Sequence, residues 1–110
     1  KDGAYVAPSD DAFKAAAAGA DWNRSFFQIL TEQPGKDSWP LTSATFILMH
    51  KVQDKPAAAA ASLKFFDWAY SQGDKLASDM DYVPMPDNVK KVIRDSWKQI
   101  TDTSGKPVWK

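Results

Sequence analysis

The sequence contains no cysteine and only one histidine, His50, among its 110 residues. Without cysteine there can be no disulfide scaffold, thiolate nucleophile or cysteine-based metal site. His50 could in principle act as a general base or a metal ligand, but it has no second histidine and no obvious carboxylate partner. We therefore interpret it as a polar group at the end of a strand, and predict no metal, no cofactor and no catalytic residue.

A surplus of charge and a long hydrophobic run are also absent. The 14 basic residues balance the 14 acidic ones, whereas binding to a nucleic-acid backbone needs a basic excess. No apolar stretch approaches the roughly 20 residues of a membrane-spanning helix. These two absences argue against nucleic acid as a partner and against membrane insertion.

Apolar and aromatic residues are plentiful, at 44% and 13% of the chain, which favours a folded core over disorder. Ser9 is a typical N-cap and is followed by two aspartates, so a helix is predicted over Asp10–Ala18, ending at Gly19. A second short helix or an irregular stretch follows over Asp21–Leu30, and a helix is favoured because apolar residues recur there at helical spacing.

Three further helices are predicted in the second half. One begins near Pro56, whose missing N–H is harmless in a first turn, and ends before Gly73. A short one covers Asp74–Met80. The last spans about Asp87–Ile100, where apolar residues form one stripe at helical spacing.

One strand is predicted, over Thr42–Met49. The residue before Pro40 is forced into an extended conformation, and the run that follows is apolar on both faces, as in a strand buried between layers. A single strand cannot satisfy its own backbone N–H and C=O groups. It must pair with strands outside this chain or with a second copy, so the sequence by itself suggests a piece of a larger assembly.

Several short segments, in this order and spacing, resemble the C-terminal third of the periplasmic phosphate-binding receptors of bacterial phosphate ABC importers. These segments are Gly19–Trp22, Trp39–Ser43, Thr45–Leu48, Leu63–Tyr70, Asp81-Tyr82 with Pro86, and Ser104–Pro107. The resemblance implies an α/β fold: the C-terminal segment of a two-lobed, type II periplasmic-binding-protein fold, mostly helical with one strong buried strand.

The resemblance also implies a division of the chain. Residues 1–41 would complete the second lobe. Residues 42–110 would supply the strand that returns through the hinge and the C-terminal helices of the first lobe. Thr42, Ser43 and Thr45 would then lie at the hinge, near the floor of the ligand cleft, where small residues tolerate backbone rotation.

No phosphate ligand is expected within this segment. Receptors of this kind hold the anion with helix N-termini, hydroxyl groups, an arginine and an acceptor aspartate, and those motifs occur in the preceding two thirds of the family's sequences. The two arginines here, Arg24 and Arg94, match none of them. Arg94 lies beside the apolar stripe of the last helix and is interpreted as a surface group.

Two other features of the sequence resemble functional signals. The sequence Asp102-Thr103-Ser104-Gly105 mimics an aspartic-protease signature, but that chemistry needs two such aspartates, each following an apolar strand. The aromatics of the helix after Pro56 are interpreted as core or lobe contacts rather than a carbohydrate groove. These aromatic residues are Phe65, Phe66, Trp68 and Tyr70.

The expected function is therefore that of part of a receptor which captures inorganic phosphate and delivers it to an ABC permease. Such a protein acts in the periplasm without catalysis, and its phosphate is bound by the part that is missing here. The chain starts Lys1-Asp2-Gly3, as a processed or internal start would, and the turn-rich Asp102–Pro107 is interpreted as a C-terminal tail. The alternative is an isolated, self-associating structural fragment that binds no small ligand by itself.

Overall fold

The computed structural model describes residues 2–110. Four α-helices dominate these residues, followed by a single 3-10 turn at Trp97–Gln99 and accompanied by one two-stranded parallel sheet. The helices are α1 (Asp10–Ala18), α2 (Pro56–Gln72), α3 (Asp74–Asp79) and α4 (Asp87–Ser96), and the strands are β1 (Val52–Gln53) and β2 (Thr101–Asp102). The prediction of an α/β chain is confirmed at this level.

Local signals determine where α1 begins and ends. The Ser9 hydroxyl accepts a hydrogen bond from the Ala12 N–H at 3.3 Å, and Asp10 and Asp11 occupy the first turn, where negative charge favours the helix dipole. At the other end, the Gly19 N–H donates to the Ala15 carbonyl at 3.2 Å. The predicted bounds of this helix are confirmed.

Replacing Ser9 with alanine is expected to lower the free energy of unfolding by about 1 kcal/mol, because one N-terminal N–H of α1 loses its acceptor. Ser62→Ala is the matched control. Ser62 is exposed within α2 and donates back to the Ala58 carbonyl at 3.1 Å, so alanine there should be neutral or slightly stabilising. Urea unfolding followed by far-ultraviolet circular dichroism measures both. Equal effects of the two substitutions would contradict the capping role of Ser9.

Helices α2, α3 and α4 also lie where they were predicted. Pro56 is the first residue of α2, and Gly73 ends it by donating its N–H to the Ala69 carbonyl at 2.8 Å. The last predicted helix is divided, because α4 ends at Ser96 and the chain continues as the 3-10 turn until Ile100 adopts an extended conformation.

The predicted helix over Asp21–Leu30 is wrong. The Asp21 carbonyl accepts from the Arg24 and Ser25 N–H groups and from the Gln28 side chain at 2.9 Å, which closes a turn instead of a helix. Trp22 and Leu30 are buried, whereas Phe27 between them is exposed. The helical spacing therefore reflects two residues, Trp22 and Leu30, that pack separately into the core, rather than one face of a helix.

The predicted buried strand over Thr42–Met49 is also wrong for this chain. Phe46, Ile47 and Leu48 are 50%, 57% and 93% exposed, and no strand is formed there. Within residues 2–110, no backbone hydrogen bond joins residues 43–49 to another segment. The physical reason is that this segment has no partner strand within residues 2–110.

The core lies where the first part of the chain meets α4. Its buried members are Ala17, Trp22, Leu30 and Val89, with Met85, Val92 and Ile93 partly buried around them. The core therefore combines residues from both sides of the predicted boundary at Leu41.

The described chain is thin and elongated. It measures 52 × 30 × 17 Å, with a radius of gyration of 15.8 Å, against about 13 Å for a compact domain of this size. Several large apolar side chains are exposed on this elongated chain, among them Phe46, Ile47 and Leu48.

Candidate functional site

Residues 42–50 are held by hydrogen bonds near both ends, and residues 43–49 between them form no backbone hydrogen bond with another described segment. At the start, the Thr42 hydroxyl donates to the Trp39 carbonyl at 2.8 Å, and the Trp39 N–H donates to the Ala12 carbonyl of α1 at 3.0 Å. At the other end, the Lys51 carbonyl accepts from the Thr101 N–H at 2.9 Å, which joins β1 to β2. The two ends of the segment are thus attached to α1 and to the small sheet.

The three residues predicted at the hinge have different environments. Thr42 is buried and its hydroxyl is engaged with Trp39, whereas Ser43 and Thr45 are exposed. Thr45 lines a cavity. The structure does not bring them together into one polar site.

A cavity of about 330 Å³ opens beside this segment, and we call it the apolar groove. Its lining combines residues 44–49 with residues of α2, α4 and the turn after α1. Its full lining is Trp22, Phe26, Ala44, Thr45, Phe46, Ile47, Leu48, Met49, Phe66, Tyr70, Met85, Ile93, Ser96, Trp97 and Ile100. None of these residues carries a charge, so the groove suits apolar side chains rather than an anion.

The aromatic wall of the apolar groove is held together by ring contacts. Tyr70 of α2 stacks on Trp97 with centroids 6.1 Å apart, and Trp97 meets Trp109 edge-on at 5.2 Å. Burial raises the pKa of the Tyr70 phenol, so it remains neutral at physiological pH. The interpretation of Tyr70 as a packing residue agrees with these contacts, whereas Phe65 and Trp68 on another face of α2 are exposed.

Two cationic side chains of α4, Lys90 and Arg94, form ion pairs with residues of neighbouring helices. The Lys90 Nζ lies 2.6 Å from an Asp74 carboxylate oxygen. The Arg94 Nε donates to Asp67 at 2.7 Å, and its Nη2 donates to Ser71 at 2.8 Å. The interpretation of Arg94 as a surface group is therefore wrong in part, since its side chain is half-buried and ties α4 to α2.

Hydrogen bonds within a turn explain the protease-like sequence that begins at Asp102. Its Oδ1 accepts from the Ser104 N–H at 2.8 Å, the Ser104 hydroxyl at 2.6 Å and the Lys106 N–H at 2.9 Å. The Ser104 hydroxyl, followed by the Lys106 N–H, lowers the pKa of Asp102. An ionised aspartate that closes a turn accounts for the protease-like sequence without any catalytic role.

Other chemical groups in the described part of the chain are isolated. His50 is exposed, and its carbonyl accepts from the Gln53 side chain at 2.6 Å. Across residues 2–110, no three His, Cys, Asp or Glu side chains are close enough to share a metal ion. None of the helices formed by these residues has the length and apolar character needed to cross a bilayer.

Comparison with known proteins places these features in context. No protein-family profile matches the chain. It is 44% identical over 112 residues to the phosphate-binding protein PstS of Pasteurella multocida, a match that spans 99% of this chain and 33% of that protein. It is 44% identical over 98 residues to PstS of Haemophilus influenzae, covering 87% of this chain and 29% of the relative.

A third relative has the same name and a similar extent of match. PstS of Xylella fastidiosa is 40% identical over 97 residues, covering 86% of this chain and 27% of that protein. The chain therefore spans about a third of the length of the relatives that it matches, and it corresponds to a C-terminal part of each.

Proposed function

The chain belongs to the PstS family of phosphate-binding proteins, and we propose that it is the C-terminal part of a periplasmic receptor that captures inorganic phosphate and delivers it to an ABC permease of the inner membrane. The observation that supports this proposal is the identity of 40–44% to three phosphate-binding proteins over 86–99% of the chain. The receptor performs no catalysis. It works by closing over the anion and presenting it to the permease.

The proposed receptor has two lobes of the type II periplasmic-binding-protein fold. Residues 1–41 complete the second lobe, and residues 42–110 contribute the strand that returns through the hinge and the helices of the first lobe. Residues 43–49 connect the two parts. They lie between Thr42, whose hydroxyl donates to the Trp39 carbonyl, and Lys51, whose carbonyl accepts from the Thr101 N–H, and this position supports their role as the connection between the lobes. Thr42 fixes the start of this hinge, with Ser43 and Thr45 near the cleft floor.

The phosphate ligands belong, in this proposal, to the part of the protein that precedes the chain. A dehydrated phosphate needs free backbone N–H groups, hydroxyl groups and a cation directed at it. Here Lys90 and Arg94 are occupied by carboxylates, and the lining of the apolar groove is uncharged. These observations support placing the anion site outside residues 2–110.

Calorimetric titration with phosphate and sulfate tests the proposed function. The longer protein that contains this chain should bind phosphate and reject sulfate by at least about 100-fold, since sulfate cannot donate a proton to an acceptor carboxylate. The 110-residue chain by itself should bind neither anion.

Two results would contradict these expectations. A longer protein without phosphate affinity would overturn the receptor function. Phosphate binding by the 110-residue chain alone would show that the ligand groups are wrongly placed, while leaving the receptor function in place.

The second candidate is a self-associating structural fragment without a small ligand. The exposed apolar side chains of Phe46, Ile47 and Leu48 favour it, since a contiguous apolar patch on a soluble protein marks an interaction site. It differs from the receptor in one measurable respect. A self-associated fragment would protect residues 43–49 from solvent without any other part of the protein.

A further inference from the structure

We propose that the buried cluster which joins residues 1–41 to α4 is the pivot about which the two lobes rotate, and that its contact persists when the receptor opens and closes. The members of this pivot cluster are Ala17, Trp22, Leu30 and Val89. The inference rests on the proposed function, because it takes residues 1–41 and 42–110 to belong to different lobes. It gives Leu30 and Val89 a positioning role in phosphate capture, although neither contacts the anion in the proposed receptor.

The pivot cluster crosses the proposed boundary between the lobes. Three of its members precede Thr42, whereas Val89 is in α4. Leu30 is 2% exposed and Val89 is fully buried, so the contact removes apolar surface of both parts from water. The Trp22 indole is held by its 2.7 Å hydrogen bond to the Ala17 carbonyl, on its own side of the boundary. The two lobes are therefore joined by packed apolar side chains as well as by the chain itself.

The pivot cluster lies beside the connection between the lobes. Ala44, which belongs to the connecting segment, packs directly against it, as do Met85 and Ile93. Trp22 also lines the apolar groove together with residues 44–49. When two bodies rotate about a connecting segment, each atom moves in proportion to its distance from the rotation axis. A contact next to this segment is therefore displaced by only a small amount, as packed elements are in shear motions.

The kinds of contact on the two sides of the boundary fit a pivot. The ion pairs of α4 with Asp67 and Asp74 are directional and lie within residues 42–110, so a rotation between the lobes leaves them intact. Across the boundary the packing is apolar, and apolar contacts are non-directional, so they tolerate small displacements. The Ser78 hydroxyl also reaches Asp10 across the boundary, but the distance is 3.4 Å and the contact is exposed, which makes it a weak restraint.

A persistent pivot limits the orientations that are available to the open receptor. Closure over the anion then costs less conformational entropy than it would for two freely tethered lobes. A cavity within the pivot cluster should widen the range of open orientations and weaken phosphate binding, although no ligand group is changed. A cavity at a buried site within one lobe should lower stability without this effect on binding.

Calorimetric titration of the longer protein with phosphate is the first test. Leu30→Ala should raise the Kd for phosphate by at least about 5-fold, through the added cost of closure. Leu63→Ala is the matched control, because Leu63 is as deeply buried, at 0% exposure, but belongs to α2 and not to the pivot cluster. It removes the same atoms from a site without shared partners, and should change the Kd by less than about 2-fold. Circular dichroism establishes that the variants are folded, and Leu30→Val with Leu63→Val replaces the pair if either alanine variant is not.

Electron paramagnetic resonance supplies a second readout, which does not depend on phosphate. The 110 residues contain no cysteine, so spin labels can be attached at Lys36→Cys and Lys91→Cys once any cysteine elsewhere in the longer protein is replaced with serine. Both positions are exposed and they lie on opposite sides of the boundary. The distribution of distances between the labels, measured without phosphate by double electron–electron resonance, should broaden with Leu30→Ala and stay unchanged with Leu63→Ala.

The contrary results are distinct. A distance distribution that Leu30→Ala leaves unchanged, or that both substitutions broaden equally, would overturn the pivot. A phosphate Kd that Leu30→Ala lowers would overturn it as well, because the contact would then have to break for closure, and so would a Kd that both substitutions change equally or that neither changes. Selective broadening in a longer protein that binds no phosphate overturns only the receptor function, and phosphate binding without selective broadening overturns only the pivot.

Discussion

Replacing Trp22 with alanine is expected to lower the free energy of unfolding by about 3–5 kcal/mol, the usual range when a large aromatic side chain is removed from a core. Trp22 is 5% exposed and packs in one cluster with Ala17, Leu30 and Val89. Its indole Nε1 donates to the Ala17 carbonyl at 2.7 Å. The substitution therefore leaves a cavity and also removes one donor from the Ala17 carbonyl, which still accepts from the Ala20 N–H at 3.3 Å.

Urea unfolding followed by far-ultraviolet circular dichroism measures this loss without relying on tryptophan fluorescence. Trp22→Phe retains most of the ring but removes the indole donor, so its cost should be smaller, about 1–3 kcal/mol. Phe27→Ala is the matched control, because Phe27 is 80% exposed and should change stability by no more than about 0.5 kcal/mol. A Trp22→Ala effect as small as that of Phe27→Ala would show that this core does not hold the chain together.

The position of this core also bears on the proposed lobes. Trp22 and Leu30 precede Thr42, whereas Val89 belongs to α4. Under the proposed division at residue 41, the cluster is a contact between the end of the second lobe and a helix of the first. The segment 43–49 connects the same two parts, so the stability of the core and the freedom of the hinge would be coupled.

Local chemistry explains which helices could be predicted. The Ser9 cap, Pro56 in the first turn of α2 and Gly73 at its end each act through residues within one turn, and the structure shows each at its predicted place. Such signals do not depend on the remainder of the molecule. They therefore remain valid even for a chain that spans only about a third of the length of its relatives.

The failures have a different physical cause. The spacing of Trp22, Phe26 and Leu30 is compatible with a helix, but the Gln28 side chain and the Trp22 indole bond to backbone carbonyls that fix a turn instead. The strand prediction for Thr42–Met49 interpreted the apolar pattern as burial between layers. Burial needs a partner that the pattern cannot supply, so in this chain the same residues are exposed.

The candidate site was predictable only in outline. The sequence predicted Thr42, Ser43 and Thr45 at the hinge, and residues 44–49 of the same segment line the apolar groove. The groove itself requires Phe66, Trp97 and Trp22, which are distant in sequence and meet only after folding. Likewise, no periodicity indicated that Lys90 and Arg94 would find Asp74 and Asp67 on other helices.

Asp74→Asn is expected to be the second severe substitution, with a loss of about 2–3 kcal/mol. The Lys90 side chain is 4% exposed, and its Nζ lies 2.6 and 2.8 Å from the two Asp74 carboxylate oxygens. The remaining acceptor, Asp87, is 3.6 Å away on a fully exposed side chain. Removing one partner leaves a buried ammonium group poorly compensated, which costs far more than the net contribution of the pair. Because Asp74 is 52% exposed, solvent screening reduces the loss below the 3–5 kcal/mol of fully buried pairs.

The matched control is Asp79→Asn, which breaks the 2.7 Å pair with Lys75 on the surface of α3. An exposed pair of this kind contributes only about 0.2–1 kcal/mol, so urea unfolding should separate the two variants clearly. Adding Lys90→Met to Asp74→Asn removes the stranded charge while retaining most of the apolar stem, and should recover much of the loss. If the double variant is no more stable than Asp74→Asn alone, the cost comes from the loss of Asp74 in the first turn of α3 rather than from the buried ammonium group.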